Sequence, residues 1–361
     1  MGPEARSAAV YMPEVAHEKS DYRLEFSGNA SEYFRIWIVN IALTIATLGV
    51  YSAWAKVRNK QYFYGHTQLA GSSFEYTANP VSILKGRALV FSVVVIYQLA
   101  SYIQPALGLA IFFALVPLVP WIVIKAIGFN LRYSAYRNLR FHFDGTYGQA
   151  FKLYILWTIA IGISFGIAYP YVVWLRKQFF VNKARYGNMY FKFSGEAGYF
   201  YVVYICAVLI YVGAMLGLAV AIGGFSVLTG MSTEQPEAPS IILIVLMSLG
   251  FTVMFVTFNS AIQSLISNFM WRHTALRDIQ FSLKLGVLRV VWIQISNIVV
   301  IILSLGLLIP WAKVRMLRYQ LSRFSLSTTP KEFEHFIATE RETISATGGE
   351  FGEVLDLDLG L

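Results

Sequence analysis

Long stretches of apolar residues alternate with short basic segments along this chain. Six stretches carry no charge or almost none: 33–54, 88–124, 153–175, 199–233, 240–271 and 290–312. Each reaches the roughly 20 residues that a helix needs to cross the hydrocarbon core of a bilayer. Gln104 and Pro105 interrupt the second stretch and predict a turn between two arms. The pattern therefore predicts a polytopic membrane protein.

Short segments with aromatic residues at alternate positions lie between these stretches. They fall at 24–28, 74–76, 141–145 and 191–193, with weaker versions at 279–283 and 324–326. A period of two is typical of β-strands, and an isolated pair of strands is only marginally stable in water. If the six segments share one side of the membrane, we expect them to form a small sheet there.

The charge distribution predicts that shared side. The chain is 57% hydrophobic and 14% charged, which is too little polar surface for a soluble globule. The net charge of +9 comes from Lys and Arg residues at the ends of apolar stretches, which indicates membrane topology and not nucleic-acid binding. The positive-inside rule then places the basic segments, and with them both termini, in the cytoplasm.

The chain also resembles itself. The string TLGVYSAWAKVR at 47–58 returns as SLGLLIPWAKVR at 304–315, and Phe26 and Gly28 align with Phe143 and Gly145. This internal alignment predicts about two and a half repeats of one unit. With the apolar stretches, it predicts an all-α polytopic membrane protein in which short β-strands form a small cytoplasmic layer. The predicted divisions are a polar tail at 1–21, repeats at 22–140 and 141–278, a partial repeat at 279–326, and an acidic, disordered tail at 327–361.

Two arrangements of the apolar stretches 33–54, 153–175 and 290–312 fit these patterns. Basic segments flank each stretch on both sides, which favours re-entrant hairpins that turn at Gly49, Gly166 and Gly306. Their lengths instead favour full crossings, which would make seven spans and inverted repeats, as in many transporters. The sequence leaves both arrangements open.

Polar residues inside the apolar stretches are the first candidates for function. They are Asn40, Asn259, Gln263, Gln294 and Asn297. Asn40 and Asn297 occupy equivalent places before their glycine turns. Such residues either hydrogen-bond helices to one another or line a polar pathway.

A second candidate is a collar of aromatic and basic residues at the ends of apolar stretches. Tryptophan rings favour the headgroup level of a bilayer, and Lys and Arg attract anionic phospholipid headgroups. The predicted collar contains Trp54, Lys56, Arg58, Arg176, Lys177, Trp311, Lys313 and Arg315.

The sequence contains no recognisable catalytic constellation. Its five histidines are scattered without ligand spacing, and its single cysteine, Cys206, lies in an apolar stretch. A phosphate-binding loop and a nucleophile elbow are both absent from the sequence. We therefore predict no enzymatic activity, no cofactor and no metal site. The predicted partners are the bilayer and its anionic headgroups, and the oligomeric state stays open.

Three segments of the chain resemble a known family. LEFSGNASEYFRIW at 24–37, TLGVYSAWAKVR at 47–58 and QLAGSSFEYTANPVSILKGR at 68–87 are similar to the YjgN-like bacterial inner-membrane proteins. The resemblance implies a multi-pass inner-membrane protein with no established activity, and it assigns no site residues. Two functions remain: transport or passage of a small or amphiphilic solute, or a non-catalytic membrane-organising or lipid-binding scaffold.

Overall fold

The computed structural model describes residues 20–228 and 241–329. Within them, eleven strands form one antiparallel sheet. The strands are β1 (Ser20–Phe26), β2 (Thr67–Leu69), β3 (Ser72–Tyr76), β4 (Ser134–Tyr136), β5 (Leu139–Phe143), β6 (Ala184–Tyr186), β7 (Met189–Tyr190), β8 (Lys192–Phe193), β9 (Thr274–Leu276), β10 (Ile279–Leu283) and β11 (Phe324–Thr328).

Helices fill the intervals between the strands. They are α1 (Ala30–Ala46), α2 (Ser52–Gly65), α3 (Pro80–Ile103), α4 (Pro105–Leu115), α5 (Leu118–Arg132), α6 (Tyr147–Phe151), α7 (Trp157–Ile163), α8 (Tyr169–Lys183), α9 (Ala197–Leu228), α10 (Ile241–Arg272), α11 (Val287–Leu303) and α12 (Ile309–Ser322). A π-helical turn, Lys152–Leu156, joins α6 to α7.

The sheet curves into an almost closed ring. Its strand order runs from β7 through β6, β5, β4, β3, β2, β1, β11, β10 and β9 to β8. The two end strands follow one another in the chain, separated only by Phe191, whose amide donates to the carbonyl of Ala184. The first and last strands, β1 and β11, also pair, with Ser20 opposite Thr328. The chain therefore enters and leaves the ring side by side.

All the helices lie at one rim of the ring. Each helical segment leaves one strand and returns to its antiparallel neighbour: α1–α2 joins β1 to β2, α3–α5 joins β3 to β4, α6–α8 joins β5 to β6, α9–α10 joins β8 to β9, and α11–α12 joins β10 to β11. Where two neighbouring strands are antiparallel, the end of the first lies beside the start of the second. Each helical segment therefore leaves the sheet and returns to it at the same rim of the ring. The tight turns between β2 and β3, β4 and β5, β6 and β7, and β9 and β10 form the other rim.

The predicted fold class was wrong in two respects. The β-structure is one eleven-stranded sheet to which every predicted repeat contributes, not a small accessory layer. In the described residues, only three helical segments are long and apolar enough to cross a membrane: Pro80–Ile103, Ala197–Gly217 and Gly250–Arg272. The pair α4 and α5, bent by 47°, makes a possible fourth. The chain is therefore not a clear all-α polytopic protein.

The three stretches whose arrangement the sequence left open are helical hairpins in the structure. Turns at 47–51, 164–168 and 304–308 divide them, and Gly49, Gly166 and Gly306 lie in these turns with φ of 93°, 89° and 89°. The residue before each glycine also has a positive φ, between 49° and 51°. The longest arms, α1 and α11, have 17 residues each and extend about 25 Å. The predicted tails outside 20–329 lie beyond the described residues.

The turn at Gly166 yields a stability prediction. The left-handed backbone at this position costs a residue with a Cβ atom about 1–2 kcal/mol, so Gly166→Ala should lower the unfolding temperature of the detergent-solubilised protein. Gly162 in α7 has nothing within 4 Å of an added Cβ, and Gly162→Ala should raise that temperature slightly because alanine favours helix. Equal unfolding temperatures for Gly166→Ala and wild type would contradict the strained-turn explanation.

Candidate solute-binding chamber

The interior of the sheet ring contains an apolar chamber of about 440 Å³. Alternate strand residues point inward, and equivalent positions of five strand segments supply the wall: Leu24, Phe74, Phe141, Phe191 and Phe281. The Phe191 ring centroid lies 6.5 Å from that of Phe141 and 5.9 Å from that of Phe281, within the range for favourable aromatic pairs. The aromatic alternation visible in the sequence thus forms the wall of a cavity.

Buried side chains close the chamber at the rim of tight turns. Residues that flank these turns form one apolar cluster with Leu326 of β11; they are Leu69, Tyr136, Leu139, Tyr186, Met189, Leu276 and Ile279. Its tyrosine hydroxyls are satisfied, since Tyr136 Oη donates to the Leu69 carbonyl at 2.7 Å and Tyr186 Oη donates to the Tyr136 carbonyl at 2.9 Å. This end of the chamber is therefore both apolar and well packed.

Helices α10 and α12 form the opposite end of the chamber. Ser267 and Trp271 reach it from α10, and Leu317, Gln320 and Leu321 reach it from α12. Because these helices lie at the rim from which the membrane-spanning candidates extend, this end of the chamber faces the helical layer.

Two further cavities lie next to the chamber, one between α11, α12 and Phe63 of α2, and one between α10, α11 and α12. Their volumes are about 550 and 340 Å³, and Gln320 lines both of them as well as the chamber. Ser267 also lines the chamber and the smaller of the two. We call the three together the cavity chain. Its members lie side by side from the interior of the sheet ring to the middle of the helical layer and share lining residues.

The cavity chain has a polar but uncharged stripe. Asn259, Gln263 and Ser267 recur every fourth residue on α10 and line the 340 Å³ cavity, opposite Gln294 of α11 and Gln320 of α12. In the described part of the chain, the four amide side chains among these residues have no hydrogen-bond partner in the protein. Asn259 and Gln263 are exposed, and Gln294 and Gln320 are half-buried. The stripe therefore offers hydrogen-bonding groups to water or to a polar ligand group in the cavities.

Four of the five predicted polar candidates line the cavity chain: Asn259, Gln263, Gln294 and Asn297. Asn297 is also a structural link, since its Nδ2 donates to the Ala312 carbonyl at 3.3 Å and its Oδ1 accepts from Arg315 at 3.1 Å. Asn40 lies away from these cavities, buried within the first hairpin, where its Nδ2 donates to Asn59 Oδ1 at 3.2 Å. The equivalent asparagines thus join the arms of their own hairpins.

The three arginines of the predicted collar are engaged within their own hairpins. Arg58 donates to Tyr51 Oη at 3.0 Å, Arg176 donates to Thr158 Oγ1 at 3.0 Å, and Arg315 donates to Ser296 Oγ at 2.8 Å. The Arg315 guanidinium also lies 5.0 Å from the Trp311 ring centroid.

The other collar residues differ in their surroundings. Trp54 stacks on Tyr51 with ring centroids 6.1 Å apart, and Lys313 lines the 550 Å³ cavity. Burial lowers the pKa of Lys177. Burial, followed by the charge of Arg87, lowers the pKa of Lys56. The predicted collar is therefore not one continuous surface of free cations.

Sequence reasoning missed Gln320 and Ser267, the residues that connect the cavities. Gln320 lies in a segment with several charges, so it does not stand out as a polar residue in an apolar stretch. Ser267 continues the spacing of Asn259 and Gln263, and a search for polar residues at helical spacing would have found it.

Comparison with known proteins agrees with the resemblance seen in the sequence. Residues 21–354 match the model of a family described as bacterial protein of unknown function (DUF898). The inner membrane protein YjgN of Salmonella typhimurium strain LT2 is 28% identical over 151 residues, which are 40% of this chain and 38% of that protein. The inner membrane protein YjgN of Escherichia coli strain K12 is 29% identical over 148 residues, 40% of this chain and 37% of that protein.

These alignments cover less than two fifths of either relative. No solved structure matches the chain. The relatives are named as inner membrane proteins, and the chain has apolar helices able to span a membrane. The predicted resemblance is confirmed, and because the family model covers most of its length, the chain belongs to the DUF898 family of bacterial proteins of unknown function.

Proposed function

We propose that the protein binds a small apolar or amphiphilic solute in the chamber and passes it to or from the bilayer through the cavity chain. The observation that carries this proposal is that Gln320 lines all three cavities. A volume of about 440 Å³ lies in the range of small-molecule sites, which are mostly apolar with a few polar groups.

The lining favours a solute without a net charge. Among the described residues, no charged side chain lines the chamber or the 340 Å³ cavity, and Lys313 is the one charged residue along the 550 Å³ cavity. Burial of an apolar solute in the chamber would contribute about 0.8 kcal/mol of binding free energy per methylene group. A neutral polar end would hydrogen-bond the unpartnered amides, and a charged end would lack a counter-charge there.

The direct test is a binding and flux measurement on the purified full chain. The uncharged probe N-phenyl-1-naphthylamine is titrated into the protein in nanodiscs, with protein-free nanodiscs as the reference. We expect saturable binding at one probe per chain, competition by decanol, and decanol flux above background in proteoliposomes. Probe partitioning identical to that of protein-free nanodiscs would contradict the proposal.

The second predicted function, a membrane-organising scaffold, has less support in the described residues. Capture of a partner strand needs a free sheet edge. Here the edge strands β7 and β8 have two residues each and are separated only by Phe191. The proposed role is also non-enzymatic, as the sequence predicts.

The proposal includes an orientation. Basic residues concentrate around the sheet ring, so the positive-inside rule favours a cytoplasmic ring beneath the helical layer. Strand β1 begins at Ser20 and β11 ends at Thr328, and both of these residues lie at the rim of tight turns. We therefore place the two termini in the cytoplasm. In this arrangement the three hairpins that turn at Gly49, Gly166 and Gly306 enter the membrane and return, and the chamber receives its solute from the membrane side.

A further inference from the structure

Contacts between α2, α3 and α5 bring together three cations, at a position that we call the groove. Ser52, Lys56 and Lys60 recur every fourth residue on one face of α2. Arg87 of α3 donates to Ser52 Oγ, which brings its guanidinium to the Lys56 end of this face. At the other end Lys60 Nζ donates to Asn130 Oδ1 of α5 and lies 4.5 Å from the Tyr76 ring centroid.

The three cations have no carboxylate partner in the described residues. None of them takes part in an ion pair with described residues, and their hydrogen bonds go to the neutral groups of Ser52 and Asn130. Burial first and the Lys56 charge second lower the pKa of Lys60 to about 8. Like charges that lower one another's pKa also lower the stability of the folded protein, and an anion bound beside them would offset their repulsion.

The position of the groove identifies the source of that anion. Arg87 is the last charged residue before the uncharged stretch 88–124, and it lies on the spanning candidate Pro80–Ile103. On α5 the next charged residue, Lys125, bounds the same stretch from the other side. These limits place the groove where the helices leave the hydrocarbon, at the depth of lipid headgroups.

We propose that this groove binds the phosphate of an anionic phospholipid headgroup, with Arg87 and Lys56 as its direct contacts and Lys60 behind them. A guanidinium and an ammonium group are the usual ligands of phosphate, and each basic residue near an anionic surface contributes about 1 kcal/mol. The aliphatic parts of the Lys56 and Arg87 side chains, together with the apolar faces of α3 and α5, accommodate the acyl chains of the lipid. Of the predicted collar, only Lys56 belongs to this site.

The test measures lipid selectivity of the full chain in detergent micelles. Fluorescently labelled phosphatidylglycerol and phosphatidylcholine are titrated into wild type, Lys56→Gln, Arg87→Gln and the double variant. We expect about fivefold weaker phosphatidylglycerol binding for each single variant and about 25-fold for the double variant, with phosphatidylcholine binding unchanged. Lys56→Arg should retain the wild-type affinity.

Arg58→Gln is the matched control. It removes one cation from an exposed position of α2 whose guanidinium bonds Tyr51, and it should leave selectivity unchanged. An equal loss in Arg58→Gln would overturn the site, since any surface cation would then suffice. Inorganic phosphate that displaces the labelled lipid at millimolar concentration would overturn the lipid assignment in favour of a free anion.

Two features distinguish a loss of lipid selectivity from misfolding of a variant and from failure of the chamber proposal. Arg87 is exposed, and removing its charge relieves repulsion, so Arg87→Gln alone decides the question if Lys56→Gln cannot be purified. Naphthylamine binding in the chamber should be the same in all these variants. Loss of lipid selectivity with intact probe binding supports the headgroup site, and unchanged selectivity in Arg87→Gln overturns it whatever the chamber binds.

Discussion

Replacing Ser267 with phenylalanine should weaken naphthylamine binding by about tenfold or more and abolish solute flux. Ser267 is half-buried on α10 and lines both the chamber and the 340 Å³ cavity. A phenyl ring there fills the junction between them. Excluding only two methylene-sized groups of the ligand removes about 1.6 kcal/mol of burial, which corresponds to more than a tenfold loss of affinity. The affinity comes from the nanodisc titration and the flux from proteoliposomes.

Thr252→Phe is the control for this variant. Thr252 lies on the same helix, is exposed, and bonds the Ser248 carbonyl through its own hydroxyl. It lines none of the three cavities of the chain, so the added ring should leave both measurements unchanged. Unfolding temperatures of the two variants separate blockage from overpacking, which costs typically 1–3 kcal/mol. Wild-type binding by a folded Ser267→Phe protein would contradict the cavity chain as the solute's route.

The aromatic strands could be recognised from the sequence and their partner strands could not. Segments such as 141–143 reveal their period because an aromatic residue occupies each of two alternate positions. Their partners β2, β4, β6 and β9 are three residues long, and none of them has aromatic residues at two alternate positions. A period of two cannot be recognised in them from the sequence. Because these partner strands were not recognised, the sequence predicted a small β-layer instead of a nearly closed ring of eleven strands. The predicted fold class was wrong for this reason.

The helical part was left open by the sequence for a different reason. Composition shows that 33–54, 153–175 and 290–312 are apolar, but it does not show whether such a stretch is one helix or two arms. The structure divides each at a residue with positive φ followed by glycine, such as Leu48 and Gly49. The Leu-Gly and Phe-Gly pairs carry the signal for this turn, since glycine takes the left-handed backbone most readily. Charge symmetry at the two ends of each stretch carries a second signal.

The candidate site was predictable in part. Asn259, Gln263 and Gln294 stand out because they are polar within uncharged stretches, and the structure places them at the cavity chain. The sheet interior was not predictable, since the five wall positions come from segments that are distant in the sequence and meet only through ring closure. The groove at Lys56 was missed because Lys60 and Arg87 appear in the sequence as ordinary flanking charges.

Gly195→Ala should destabilise the protein by about 1–3 kcal/mol. Gly195 follows β8, and an added Cβ would lie 2.5 Å from Phe193 Cζ and 2.6 Å from Phe269 Cε1. The Phe269 ring cannot easily retreat, because it stacks on Tyr199 with centroids 4.1 Å apart and meets the fully buried Phe200 edge-on. The carbonyl of Gly195 also accepts a hydrogen bond from Trp174 Nε1 at 2.8 Å. A lowered unfolding temperature in detergent would measure the cost.

The same close approach recurs where β1 and β5 lead into helices, since an added Cβ at Gly28 or Gly145 would lie 2.4 Å from Phe26 or Phe143. The Phe-x-Gly pattern therefore reflects a ring that covers the backbone two residues later. Gly198, three residues beyond Gly195 in α9, has nothing within 4 Å of an added Cβ. Gly198→Ala should thus stabilise the helix by about 0.5–1 kcal/mol. If both substitutions shift the unfolding temperature in the same direction, ring packing does not explain why glycine occupies position 195.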